Sequence, residues 1–185
     1  MRSHSRRYLF CLALLVAEFA VAQSQNARIP RTHGTTFAGN EVTLPDDLRG
    51  RVGVLVIGFS KNSGDRCKGW GQRVAGSYGD SRDVSYYQMP VLEGVPKLIR
   101  GMVVKGIKSG VPGAEQPHFL PMFSDEAAWR KVAHYANADD AYVLVVDGEG
   151  RVRWQTSGTV SDAGFGALKE QVEMLRKQSA GTVAK

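Results

Sequence analysis

The stretch Val52-Gly53-Val54-Leu55-Val56-Ile57-Gly58-Phe59 decides the fold. It is uncharged and rich in β-branched residues, and polar and apolar positions do not alternate along it. That is the pattern of a strand covered on both faces of a sheet. A polar loop, Ser60-Lys61-Asn62-Ser63-Gly64, leads into Asp65-Arg66-Cys67-Lys68-Gly69-Trp70. A helix is predicted to start there, with Asp65 as its N-cap, and to run to about Tyr78. A thiol at a helix N-terminus between two cations is biased toward thiolate, so Cys67 is the candidate redox residue. It has no thiol partner nearby, because the other cysteine of the chain is Cys11.

Val84–Met89 predicts a second strand, ended by Pro90 and Gly94. Val95, Leu98, Ile99, Met102 and Val103 recur at helical spacing and predict an amphipathic helix to about Lys108. The glycines and prolines from Gly106 to Pro117 read as a loop. Ser124-Asp125-Glu126 starts another helix, with Trp129, Val132, Ala133 and Ala136 on one face. Ala141–Asp147, the turn Gly148-Glu149-Gly150 and Arg151–Ser157 form a β-hairpin. A closing helix carries Phe165, Leu168, Val172 and Leu175 along one side. Upstream, Phe37–Leu44 predicts a short strand before the turn Pro45–Gly50.

Strands joined through helices, followed by an antiparallel hairpin and a helix, leave few topologies once crossovers are right-handed. The expectation is a three-layer α/β domain with a mixed central sheet and helices on both faces. Val54, Val56, Val143 and Val145 belong at its dry centre.

The 185-residue chain has a formal charge of +6. Its cations are scattered, with no basic run and no aromatic interleaving, so no nucleic-acid partner is expected. Residues 1–22 read as a signal peptide. Arg2, Arg6 and Arg7 precede the apolar core Tyr8–Ala17, and Ala20-Val21-Ala22 offers a peptidase site. Ser5–Phe10 also resembles a twin-arginine signal. The core is short for a bilayer span, so no membrane span is expected after cleavage, and the protein is expected to be periplasmic or secreted. Residues 23–36 are polar and read as a flexible leader, 37–178 as the domain, and 179–185 as a flexible tail. With one cysteine left after processing, no internal disulfide is expected.

With these elements in place, residues 37–176 resemble the thioredoxin-like superfamily. Leu44–Val52 resembles the turn into the first core strand of its exported redoxin-type branch, and Tyr142–Val152 resembles that branch's hairpin. The resemblance implies a thioredoxin-like fold and shows two departures. The redox branch carries Cys-x-x-Cys where Cys67 stands alone. It also carries a proline before the hairpin strand, where this chain has Asp140 or Ala141. The peroxiredoxin pattern Pro-x-x-x-Thr-x-x-Cys fails as well, its proline and threonine falling on Ser60 and Gly64.

A narrower set is formed by Trp70, Trp129-Arg130, Asn137, Ala141–Asp147, Arg151–Trp154 and Ser157-Gly158. It resembles the mitochondrial ATP synthase assembly factors of family ten. Those are thioredoxin-like proteins without the redox pair, thought to act as chaperones for a membrane subunit. The secretory signal here differs from the presequence expected for mitochondrial import.

These resemblances imply a non-dithiol protein that binds or chaperones an envelope protein partner. Two other readings stay open. Cys67 with an external thiol would make a monothiol reductase or peroxidase. Gly58-Phe59-Ser60 with Asp65-Arg66-Cys67 is similar to the motif of thioredoxin-fold copper chaperones, without its first cysteine. Soft ligands suit Cu(I), but His118, Met122 and His134 show no ligand spacing, so no metal and no cofactor is expected. Trp70, Trp129 and Trp154 read as packing residues, and Arg151 and Arg153 as a solvated strand face.

Overall fold

The computed structural model describes residues 27–183. Its strands are β1 (Thr32–Thr35), β2 (Glu41–Leu44), β3 (Val52–Gly58), β4 (Val84–Pro90), β5 (Ala141–Val146) and β6 (Val152–Ser157). Its helices are α1 (Gly64–Tyr78), α2 (Lys97–Ser109), α3 (Glu126–Val132) and α4 (Asp162–Val183), with short 3-10 turns at Asp46–Leu48 and Gly113–His118. The two uninterrupted apolar runs become β3 and β5, and every residue of both is buried. They lie side by side in the middle of a sheet of order β4-β3-β5-β6. β3 runs parallel to β4 and antiparallel to β5, and β6 returns antiparallel to β5. This is the mixed sheet of the thioredoxin-like fold.

Side chains alternate across the sheet and feed two cores. On one face Val54, Val56, Val143 and Val145 pack with Trp70 and Val74 of α1 and with Phe165, Leu168 and Val172 of α4. All four valines are at most 1 % exposed. On the other face Leu55, Ile57, Tyr142 and Leu144 pack with Trp129 of α3, with Leu44 of β2, and with Leu120 and Met122. The β5–β6 turn forms as its sequence predicts. Asp147 Oδ1 accepts the Glu149 and Arg151 N–H groups, and Gly150 takes a positive φ of 77°. A Cβ at Gly150 would also lie 2.5 Å from Pro45, so the position suits glycine twice over.

The N-terminal part differs from its sequence reading. The signal peptide expected over residues 1–22 lies outside the described residues. Within the expected leader, however, Thr32–Thr35 is β1, paired antiparallel with β2. Ile29 is 3 % exposed, and its N–H donates to the Gly150 carbonyl. Thr32 accepts a hydrogen bond from Trp129 Nε1 at 3.0 Å. The polarity of this segment hid a β-hairpin whose dry side is supplied by the rest of the domain. The predicted strand Phe37–Leu44 is correspondingly a turn followed by β2. At the other end, α4 continues to Val183, through most of the expected tail.

α2 ends at Ser109, next to its predicted end at about Lys108, and it carries Gly106 within it. Its apolar repeat is real, but none of its residues is buried.

Candidate functional site

At the C-terminal end of β3 the chain turns through Ser60–Ser63 into α1. Ser63 is the N-cap and Gly64 the first helical residue, so Asp65 sits in the first turn rather than at the cap. Ser63 is buried, and its hydroxyl donates to the Ser60 carbonyl at 2.8 Å. The Ser60 hydroxyl in turn donates to Asp139 Oδ1 at 3.0 Å, and Asn62 Nδ2 donates to Asp139 Oδ2 at 3.4 Å. Arg66 Nη1 donates to the Asp139 carbonyl and lies 3.4 Å from Asp140 Oδ1. The loop before β5 is therefore fastened to the loop before α1. Asp140 stands in the strand-entering segment where the redox branch carries its proline, and it meets a cation there.

Cys67 lies one turn inside α1. Its N–H is already committed to the Ser63 carbonyl at 2.9 Å, so it is not among the unpaired donors that favour an anion at a helix start. Arg66, expected to favour the thiolate, is engaged with Asp139 and Asp140. The half-buried Cys67 packs against the α1–α4 core. A Cβ added at Gly58 would lie 2.9 Å from its Sγ and 2.7 Å from Ser63 Oγ. Burial pushes the thiol pKa up from 9.0 to about 11, against a smaller lowering by the Ser63 hydrogen bond.

Near pH 7 the thiolate fraction then falls from about one in a hundred to about one in ten thousand. Labelling of the native protein by a thiol reagent is accordingly expected to be about a hundredfold slower than in denaturant at pH 7. The native rate should climb about tenfold per pH unit toward pH 11. A native rate equal to the denatured one would refute the burial. The neutral thiol is favoured in the folded state, so its contribution is complete below pH 9 and is lost as pH rises toward 11.

The other sequence candidates are not brought together with Cys67. Met122 is 2 % exposed in the opposite core. His118 stacks on Tyr86 at 3.8 Å, its Nδ1 3.1 Å from the Tyr86 carbonyl. His134 meets Gln155 of β6 at 2.7 Å. Among the described residues no group of three or more His, Cys, Asp or Glu is placed to hold a metal ion.

Trp70 and Trp129 are core residues, 1 % and 0 % exposed, and Trp70 Nε1 donates to the Gly158 carbonyl at 3.0 Å. Trp154 is partly buried against the α1–α4 core. Arg153 and Arg151 pair with Asp147 and Glu149 along the hairpin. Sequence reading missed Asp139. A lone acidic pair before a strand carries no signal of its own, and its partners Ser60, Asn62 and Arg66 lie more than seventy residues away.

Residues 19–175 match the family described as ATP10 protein. The chain belongs to the ATP10 protein family. No curated protein matches it in sequence. Among solved structures, this ATP10-family chain is similar in fold to the thioredoxin domain of a thiol-disulfide oxidoreductase from Bacteroides vulgatus. That domain is 14% identical with a TM-score of 0.55, over 80% of this chain and 97% of that one. A protein named as thiol:disulfide interchange protein DsbE from Chlorobium tepidum is 17% identical with a TM-score of 0.56, over 82% and 97% of the two chains. The exposed lipoprotein thioredoxin of Streptococcus pneumoniae is 14% identical with a TM-score of 0.56, over 76% and 99%. At such identities the likeness is one of fold, and chemistry has to be argued from the site.

Proposed function

We propose that this ATP10-family protein is an exported thioredoxin-fold assembly factor that holds a polypeptide client in the cell envelope without disulfide exchange. One observation carries the reading: the place where thioredoxin dithiols work is filled and tied down. Cys67 is packed against Gly58 with its thiol held neutral, and Arg66 is spent on the Asp139–Asp140 loop. Disulfide exchange needs an accessible thiolate and, for turnover, a second thiol to resolve the mixed disulfide. The chain's other cysteine, Cys11, falls in the segment read as a removable signal. Family membership supports the same reading, since the family-ten assembly factors it resembles are thought to act as chaperones for a membrane subunit. The signal read over residues 1–22 supports a site of work in the envelope or beyond.

An insulin–dithiothreitol turbidity assay separates the readings by sign. A dithiol catalyst shortens the lag before the reduced chains precipitate, whereas a chain-binding protein lengthens it. The expected result is a lag lengthened at least twofold at equimolar protein, unchanged by Cys67→Ser. A shortened lag that depends on Cys67 would return the protein to the redox enzymes, and an unaltered lag would refute client holding.

A further inference from the structure

α2 is the helix of the described set that belongs to neither core. Leu98 and Met102, four residues apart on one face, are 97 % and 74 % exposed, and Ile99 beside them is 41 % exposed. Adjacent apolar side chains this bare form a patch of the kind that marks interaction sites when polar groups rim it. The thirteen residues of α2 hold Lys97, Arg100, Lys105 and Lys108 and no Asp or Glu. Arg100 donates to the carbonyls of Val95 and Glu93, and Lys108 to that of Phe37, which fastens the inner side of the helix to the body. The nearby Glu93 carboxylate caps α3 by accepting the Glu126 N–H at 2.7 Å. Lys97 and Lys105 bracket the Leu98–Met102 pair along the helix axis, exposed and outside every ion pair among the described residues.

A Cβ at Gly101 or at Gly106 would meet nothing within 4 Å, so the flanks of the pair are open. The neighbouring groove, about 380 Å³ between α2 and the β1–β2 hairpin, lies on the Val104 side of the helix. A ridge with two apolar side chains at its crest and lysines at both ends suits a flat, deformable, anionic partner better than a folded protein groove. This is the pattern of a helix lying in a membrane interface.

We propose that α2 docks this protein on an anionic membrane surface. Leu98 and Met102 insert between headgroups, while Lys97 and Lys105 meet lipid phosphates. The docking is peripheral, since no described helix is long and apolar enough to cross a membrane. It is independent of client holding and goes beyond it.

The test is flotation of the purified protein with vesicles of phosphatidylcholine alone, or of phosphatidylcholine with one third phosphatidylglycerol. Docking predicts recovery with the anionic vesicles only, and loss of recovery in high salt. The K97Q/K105Q double variant should bind about thirtyfold more weakly, each lysine near such a surface contributing about fivefold. Leu98→Glu should weaken binding at least tenfold. Both changes fall on exposed positions, and unchanged melting temperatures show that the fold is intact. If Leu98→Glu disturbs the fold, the lysine pair decides alone. No flotation overturns the proposal, even if the same face captures a protein. Equal flotation on neutral lipid, or flotation indifferent to the variants, overturns it too, because attachment through Tyr8–Ala17 would behave in that way.

Discussion

Ile57→Asp is expected to leave the protein unfolded. Ile57 is wholly buried in β3, paired in register with Met89 of β4 and Tyr142 of β5, with its side chain in the core that includes Trp129 and Leu44. No cation belongs to that core, so an aspartate there is either ionised without a partner or neutral with its hydrogen bonds unmade. The effective cost of burying an unpaired charge is several kcal/mol even after relaxation, and the lost packing of the isoleucine adds about 2–5 kcal/mol. The sum, about 5–10 kcal/mol, is comparable with the roughly 5–15 kcal/mol by which ordinary domains are stable. Circular dichroism in a urea series should show no cooperative transition. Ile57→Val, which removes one methylene from the same place, should keep the transition and lose only about 0.5–1.5 kcal/mol. A cooperative Ile57→Asp protein would mean that β3 is not the centre of the sheet.

Trp129→Ala should cost about 3–5 kcal/mol and loosen the N-terminal hairpin. Trp129 is fully buried, and its indole N–H reaches the Thr32 hydroxyl of β1. Two losses therefore coincide, the aromatic volume between α3 and the sheet and a side-chain bond that ties α3 to β1. Urea unfolding gives the first. Amide exchange gives the second, as faster exchange at Thr32–Thr35 than at β3 in the variant. Trp129→Phe separates them, because most of the volume survives while the bond is lost, at about 1 kcal/mol. Should exchange in β1 stay as slow as in the unaltered protein, the hairpin is held by something other than Trp129.

What the sequence made legible was set by hydrophobic pattern. β3 and β5 are buried on both faces, so their composition alone marks them, and the turn at Gly148–Gly150 fixes the hairpin between β5 and β6. α4 shows its buried stripe at helical spacing. The hairpin β1–β2 was hidden because its inward residues include Thr32 and Thr36, which are buried and polar. Their apolar surroundings come from residues far along the chain. Depth was equally illegible at Cys67. Moving the cap from Asp65 to Ser63 carries the thiol from the second helical position of α1 to the fourth, past the donors left unpaired at the helix start. Periodicity also identified α2 as a helix, but a period says which residues share a face and not whether anything lies against it.

Ser63 and Cys67 rest against the same spot, the bare Cα of Gly58. The neighbourhood is thus already shaped for two side-by-side polar atoms, one oxygen and one sulfur. A single exchange, Ser63→Cys, would set a second sulfur there one turn before the first, in place of the hydroxyl that donates to the Ser60 carbonyl. The position of a sulfur pair is thus one substitution away, whereas an accessible thiolate and the proline that the redox branch carries before β5 are not.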